Sequence, residues 1–107
     1  MIKVSKDIVM DDIIHQIVEI ANPDKIILFG SRAKGNPRAD SDYDFLILKK
    51  FAKKRALRKK LYRIGLNTTF PVDMLVNTPS GFEKAKDKFY YVYYDIAKFG
   101  ITVYEKR

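Results

Sequence analysis

The chain has 107 residues, 47% of them hydrophobic and 13% aromatic, with a formal net charge of +8. This composition is typical of one folded domain, expected over residues 1–107, and it excludes a disordered tail. Because the chain has no cysteine and only one histidine, disulfides, thiolate metal sites and His-based zinc centres are excluded.

The first elements alternate between helical and strand patterns. Apolar residues recur at helical spacing from Asp7 to Ala21, and Asn22-Pro23 ends that helix. The run "KIILF", residues 25–29, predicts a buried strand. Gly30-Ser31 follows directly, and "SRAKG" suits a helical turn or two.

Turn-forming residues fill 35–41, and "YDFLIL", residues 43–48, predicts a second strand. Helical spacing returns over residues 51–64, and "FPVDMLV", residues 70–76, predicts a third strand.

The last part of the chain predicts one helix or two over residues 80–98, after Thr78-Pro79-Ser80, and a final strand at 101–104. The order indicates an α+β domain of α/β type, with a small mixed sheet of about four strands flanked by helices. No segment is typical of a signal peptide or a membrane span, so we expect a cytosolic, cytoplasmic protein.

Two carboxylates open the second strand. Residues i and i+2 of a strand share a face, so Asp42 and Asp44 would repel each other unless a cation lies between them. Magnesium prefers such oxygen ligands together with substrate phosphates. Asp73, flanked by apolar residues where an unpaired charge is costly, is a candidate third ligand of a two-metal site.

Gly30 and Ser31 supply a candidate phosphate site. They lie between a strand and a predicted helical turn, where free N–H groups and a hydroxyl suit an anion. Each feature alone is more often a turn, a cap or a solvated acid. Their joint occurrence favours nucleotidyl or phosphoryl transfer.

The stretch "GSRAKGNPRADSDYD" resembles the signature of DNA polymerase β-like nucleotidyltransferases: Gly-Ser, ten residues, then Asp-x-Asp. The short length, the position of Asp73 and the ending "AKFGITVYE" resemble the minimal nucleotidyltransferases (MNT proteins). Tyr43 and Phe45 depart mildly from the smaller aliphatic residues that are common around the second acid.

The resemblance implies the polymerase β-like fold and a role as the MNT antitoxin of a HEPN/MNT toxin–antitoxin pair. It implies Mg²⁺, two ions in all, at Asp42, Asp44 and Asp73, and ATP phosphates at Gly30 and Ser31. Arg32 and Ser41 lie inside the motif and are expected near the triphosphate. Asp73 would help activate an incoming hydroxyl, such as a tyrosine of the HEPN toxin, to accept AMP.

Other interpretations stay open. The domain could be a catalytically silent module that neutralises its partner by docking, or it could modify a small molecule with help from another chain. The basic segment 49–63 is interpreted as a solvated helix face in preference to an RNA-binding surface, with a protein partner equally open. We find little support there for base stacking.

In "FYYVYY", residues 89–94, helical spacing predicts that the first, fourth and fifth residues pack inward together with Ile96, and that the three other tyrosines face solvent or a partner. His15 is predicted to lie at the surface without a catalytic role.

Overall fold

The structure is a computed structural model that describes residues 7–35, 41–88 and 91–107. In that part of the chain, no helix is both long and apolar enough to cross a membrane. The predicted turn residues 36–40, and Phe89 and Tyr90, lie outside the described residues.

Four helices and four strands follow one another within the described residues. The helices are α1 (Ile8–Ala21), α2 (Lys54–Leu66), α3 (Pro79–Ala85) and α4 (Val92–Phe99). The strands are β1 (Lys25–Phe29), β2 (Tyr43–Leu48), β3 (Val72–Asn77) and β4 (Ile101–Glu105).

The strands form one mixed sheet in the order β3-β2-β1-β4. β1 and β2 pair antiparallel, whereas α2 is the crossover that allows β3 to lie parallel to β2. β4 pairs antiparallel with β1, with a register irregularity between Ile26 and Ile27. β3 and β4 are therefore the two edges of the sheet.

The two faces of the sheet carry different layers. Alternate residues such as Phe45 and Ile47 pack with the apolar stripes of α1 and α2, in the larger core cluster. Their neighbours Leu46 and Leu48 pack with Ile96 of α4 in a smaller cluster on the opposite face. Asp44 and its register partner Asp73 lie on this second face, because Asp44 is two residues before Leu46 in the same strand.

The predicted α+β fold is confirmed, with strands β1 and β2 at the predicted bounds. The region 80–98 contains two helices, and Pro79 starts the first of them behind Thr78, whose hydroxyl accepts a hydrogen bond from the N–H of Gly81 at 3.0 Å. The prediction that Val92 packs inward is wrong, because it is exposed in the first turn of α4. Ile96 is buried as predicted.

His15 is exposed, as predicted, and its Nε2 lies 3.0 Å from Oε1 of Glu19 one turn later in α1. Tyr91 and Tyr94 are also exposed, in agreement with the prediction.

Candidate active site

Two of the three predicted carboxylates lie on neighbouring strands. In the parallel pairing of β2 with β3, Asp44 is the direct register partner of Asp73. Residues paired in this way point to the same face of the sheet, so the two side chains are neighbours. Asp42 lies one residue before β2 begins and is exposed. The prediction that a strand carries Asp42 is therefore wrong.

Asp73 differs from the prediction in its surroundings. We expected its charge to be embedded among apolar residues, but its side chain is exposed because β3 is an edge strand. Its position opposite Asp44 gives a different physical reason to consider it part of a site, since like charges directly opposite each other destabilise a sheet.

The electrostatics of Asp44 reflect this arrangement. Partial burial, then the charges of Asp73 and Asp42, raise the pKa of the Asp44 carboxyl above its ordinary value. Within the described residues none of the three acids forms an ion pair, although the chain has 21 lysines and arginines. A bound cation would relieve this repulsion.

Gly30 packs directly against the carboxylate of Asp44. β1 ends at Phe29, the register partner of Asp44, and Gly30 follows with a φ of +76°. A Cβ at position 30 would overlap Oδ2 of Asp44 and lie 3.1 Å from its Cγ. Glycine is therefore required here both by its backbone conformation and by the closeness of the carboxylate.

The residues after Gly30 form hydrogen-bonded turns. The N–H groups of Ala33 and Lys34 donate to the Gly30 carbonyl at 3.1 and 3.2 Å, and the turn ends at Gly35 with a φ of +82°. Ser31 is exposed at the start of this turn, next to the Asp44 contact. The predicted helical turn is confirmed, and Ser31 directly follows the glycine that packs against Asp44.

Arg32 has structural contacts that the sequence analysis did not foresee. Its Nε and Nη2 donate to the carbonyl oxygen of Ser41 at 3.1 and 2.9 Å, and its guanidinium lies 3.8 Å from the centre of the Tyr43 ring. The side chain is only 13% exposed. Arg32 thus ties the Gly30 turn to the residue that precedes Asp42, whereas the prediction placed both Arg32 and Ser41 near a triphosphate.

A contact between Asp7 and Tyr43 also holds this region together, and the sequence analysis did not predict it. The Tyr43 hydroxyl donates to the carboxylate of Asp7 at 3.0–3.1 Å, and Asp7 also caps α1 by accepting from the N–H of Met10. Burial, then the hydrogen bond to Asp7, raises the pKa of Tyr43. Asp7 could be recognised from sequence as a helix cap, but no local signal connects it to a residue 36 positions later.

The donor set suits a hard divalent cation, although it is not assembled into a closed cage. Within residues 7–35, 41–88 and 91–107, no three acidic or histidine side chains are already arranged as a metal-binding group. Asp42, Asp44 and Asp73 nevertheless offer only carboxylate oxygens, the ligands that Mg²⁺ takes together with phosphate and water. Their mutual repulsion, and the lack of cationic partners among the described side chains, fit such an ion.

Asp42 and Asp73 are exposed, and Asp44 is partly buried. Two shallow depressions on the described surface lie instead along α2, with volumes of about 410 and 470 Å³. They are on the other side of the sheet from Asp44 and contain no acid. We therefore assign the candidate site by its chemistry and register, because a divalent cation and a triphosphate do not require a deep apolar pocket.

The comparison with known families agrees with this geometry. The model of the family "Polymerase beta, Nucleotidyltransferase" matches residues 11–107. The chain belongs to this family. The match spans the Gly30 turn, the acids of β2 and β3, and the last strand. Among proteins with curated descriptions, none is significantly similar in sequence to this nucleotidyltransferase-family chain.

Two solved structures share the fold of this nucleotidyltransferase domain. One is a crystal structure of a toxin–antitoxin with AMP-PNP, with a TM-score of 0.63 and 18% identity, covering 91% of this chain and 74% of that one. The other is a protein from Sulfolobus solfataricus assigned as a nucleotidyltransferase, with a TM-score of 0.62 and 19% identity, covering 92% and 78%. At these identities the likeness concerns the fold.

Proposed function

We propose that the protein is a Mg²⁺-dependent adenylyltransferase that moves AMP from ATP to a hydroxyl of a protein toxin and thereby acts as an antitoxin. The observation that carries the proposal is the register pairing of Asp44 with Asp73, next to Asp42 and against Gly30. Membership of the nucleotidyltransferase family supports the reaction class. A structural relative that is a toxin–antitoxin with AMP-PNP supports the biological role and the adenine nucleotide.

The residues would divide the work as follows. Asp42, Asp44 and Asp73 would hold magnesium, which when bound supplies positive charge to the triphosphate and to the departing pyrophosphate. Gly30 allows close approach to Asp44, and Ser31 offers an exposed hydroxyl to a phosphate oxygen.

The chain's own acid–base contribution comes from Asp73. Its exposed carboxylate can accept the proton of an incoming hydroxyl, whose oxygen forms a bond to the α-phosphorus while the bond to pyrophosphate breaks. Asp44 is less suited to this role, because it is partly buried and lies against Gly30. Arg32 acts indirectly, by fixing the backbone of Ser41 just before Asp42.

We propose a HEPN-domain toxin as the partner and a tyrosine hydroxyl as the acceptor, on the resemblance to MNT antitoxins. The test is incubation of the purified protein with α-labelled ATP, Mg²⁺ and the toxin encoded beside it. We expect label on the toxin with wild-type protein and none with Asp44→Asn or Asp73→Asn. Absence of label with folded, nucleotide-binding wild-type protein would contradict the proposed transfer.

A second candidate is neutralisation by docking, with no transfer of a nucleotide. The absence of a preassembled three-acid group within the described residues favours it. The variant Asp44→Asn distinguishes transfer from docking, because it should no longer neutralise the toxin if transfer is required. Full neutralisation by this variant, with the toxin unlabelled, would establish docking. Modification of a small molecule would instead label no protein.

A further inference from the structure

Most of the net positive charge of the chain is concentrated on one helix. Seven exposed cations lie on α2 and its N-cap, and we call them the α2 basic face. They are Lys53, Lys54, Arg55, Arg58, Lys59, Lys60 and Arg63. Outside this face, the fourteen other lysines and arginines are nearly balanced by thirteen acids. The net charge of +8 is therefore mainly a property of a single surface.

The packing of α2 explains how this face is presented. Leu57, Leu61 and Ile64 are buried against the sheet and α1 at the spacing of one helical stripe. The remaining sides of the helix point to solvent. Arg55, Lys59 and Arg63 follow each other at every fourth residue, about 6 Å apart along the axis, so the cations form a row.

The α2 basic face is electrostatically unsatisfied. Within the described residues none of its cations forms an ion pair, and residues 45–72 contain no acid. Like charges four residues apart, such as Arg55 and Lys59, destabilise a helix. The first turn has no acid to complement the helix dipole, and the N-cap residue Lys53 makes no capping hydrogen bond. A face serving solubility alone would mix both signs.

One exposed aromatic side chain of α2 lies beside these cations. Tyr62 is 68% exposed and lines the depression of about 470 Å³ together with Arg58 and Lys59. This differs from the sequence-based expectation that base stacking had little support. An exposed ring beside guanidinium groups can stack on a nucleobase while the cations contact phosphates.

We propose that the α2 basic face binds the phosphate backbone of a single nucleic-acid strand, with Tyr62 stacking on a base. A nucleic acid fits better than an acidic protein, because protein interfaces are depleted of lysine and centre on apolar or aromatic anchors. Here the exposed Tyr62 ring lies beside Arg58 and Lys59, and the row of like charges matches a regularly charged polymer. The site lies on the α1–α2 side of the sheet, apart from the acids of the active site.

The experiment measures fluorescence anisotropy of short unstructured RNA and DNA strands at several salt concentrations. The test variant is Arg55→Glu/Arg58→Glu/Lys59→Glu. The control is Lys84→Glu/Lys88→Glu/Lys98→Glu, three exposed lysines at or near α3 and α4. Both variants change the net charge equally. Circular dichroism and thermal unfolding confirm that each variant is folded.

Loss of three phosphate contacts should reduce the slope of log affinity against log salt by about 2 and weaken binding about a hundredfold at low salt. The control should stay within about threefold of wild type, and Tyr62→Ala should weaken binding about tenfold. Comparison of the RNA and DNA arms identifies the preferred strand.

Equal losses in both triple variants would overturn the proposal, because they would reflect net charge alone. Displacement of the strand by polyglutamate of matched charge as readily as by unlabelled strand would also overturn it, in favour of an acidic protein partner. Absence of salt-dependent binding of either strand by the folded wild type would also overturn the proposal.

Discussion

The contact between Gly30 and Asp44 gives the most specific prediction. Substitution of Gly30 by alanine places a residue with a Cβ at a φ of +76°, and substitution of Gly35 does so at +82°. The left-handed conformation costs about 1–2 kcal/mol for such a residue, partly offset by lower entropy of the unfolded chain. We expect each variant to lose about 1 kcal/mol of stability, or roughly 5 °C in Tm for a domain of this size.

The two glycines differ in what a new methyl group meets. At position 30 it overlaps Oδ2 of Asp44, whereas at position 35 nothing lies within 4 Å. The carboxylate is the end of a side chain and can rotate away, so this overlap adds little to the loss of stability. It displaces an oxygen of Asp44, the proposed metal ligand, however, and a shift of about 1 Å in a catalytic group can lower the reaction rate about a hundredfold.

The assay is calorimetric titration of AMP-PNP in the presence of Mg²⁺, together with thermal unfolding of each variant. Gly30→Ala should bind about thirtyfold more weakly than wild type, since disturbing the groups that orient a metal ligand typically costs about 10–100-fold in metal affinity. Gly35→Ala should bind within about threefold of wild type at a similar Tm, since its methyl group meets nothing. Wild-type affinity in folded Gly30→Ala, or an equal loss in Gly35→Ala, would refute the assignment of Asp44 to the metal site.

Three further predictions concern the acids and their support. The pKa of Asp44 is raised in the folded state, so this carboxyl lowers the free energy of unfolding as the pH rises from its unfolded to its folded pKa. Without Mg²⁺, Asp44→Asn should remove this pH dependence and raise the free energy of unfolding by up to about 1 kcal/mol at neutral pH. Urea unfolding measures both effects. Tyr43→Phe loses the hydrogen bond to Asp7 and should cost about 1–2 kcal/mol, whereas exposed Tyr94→Phe should cost nothing measurable. Arg32→Lys cannot donate two hydrogen bonds to the Ser41 carbonyl as the guanidinium does, so it should lower both Tm and AMP-PNP affinity. A lower affinity at an unchanged Tm would indicate direct contact of Arg32 with the triphosphate.

The strands were the most predictable part of the fold. Residues 25–29 and 43–48 are nearly continuous apolar runs because both faces of these central strands are covered. The break between α3 and α4 was left open because residues 86–91 contain neither proline nor glycine. The exposure of Val92 follows from where α4 begins, and the sequence does not fix that starting point.

The candidate acids could be recognised in the sequence, whereas the contacts that hold the surrounding backbone could not. The spacing of Gly30, Asp42 and Asp44 is local, so it is visible in the sequence. The side chain of Arg32 is directed by Tyr43 and by the Ser41 carbonyl, and these contacts exist only after β1 and β2 have paired. The exposure of Asp73 likewise depends on β3 being an edge strand, which local pattern does not reveal.

The sheet separates the two charged surfaces, and this separation has a measurable consequence. The acids lie towards the side of α3 and α4, whereas the α2 basic face lies on the layer of α1 and α2. A lysine row beside Asp44 and Asp73 would compete with a metal ion for the same carboxylates. With an intervening sheet and physiological salt, each surface should bind its ligand almost independently, since exposed charges beyond about 8 Å are screened. The triple α2 variant should therefore keep wild-type Mg²⁺-dependent AMP-PNP affinity within about twofold. A large change would show that the two surfaces are coupled, and by linkage AMP-PNP would then alter nucleic-acid affinity by the same factor.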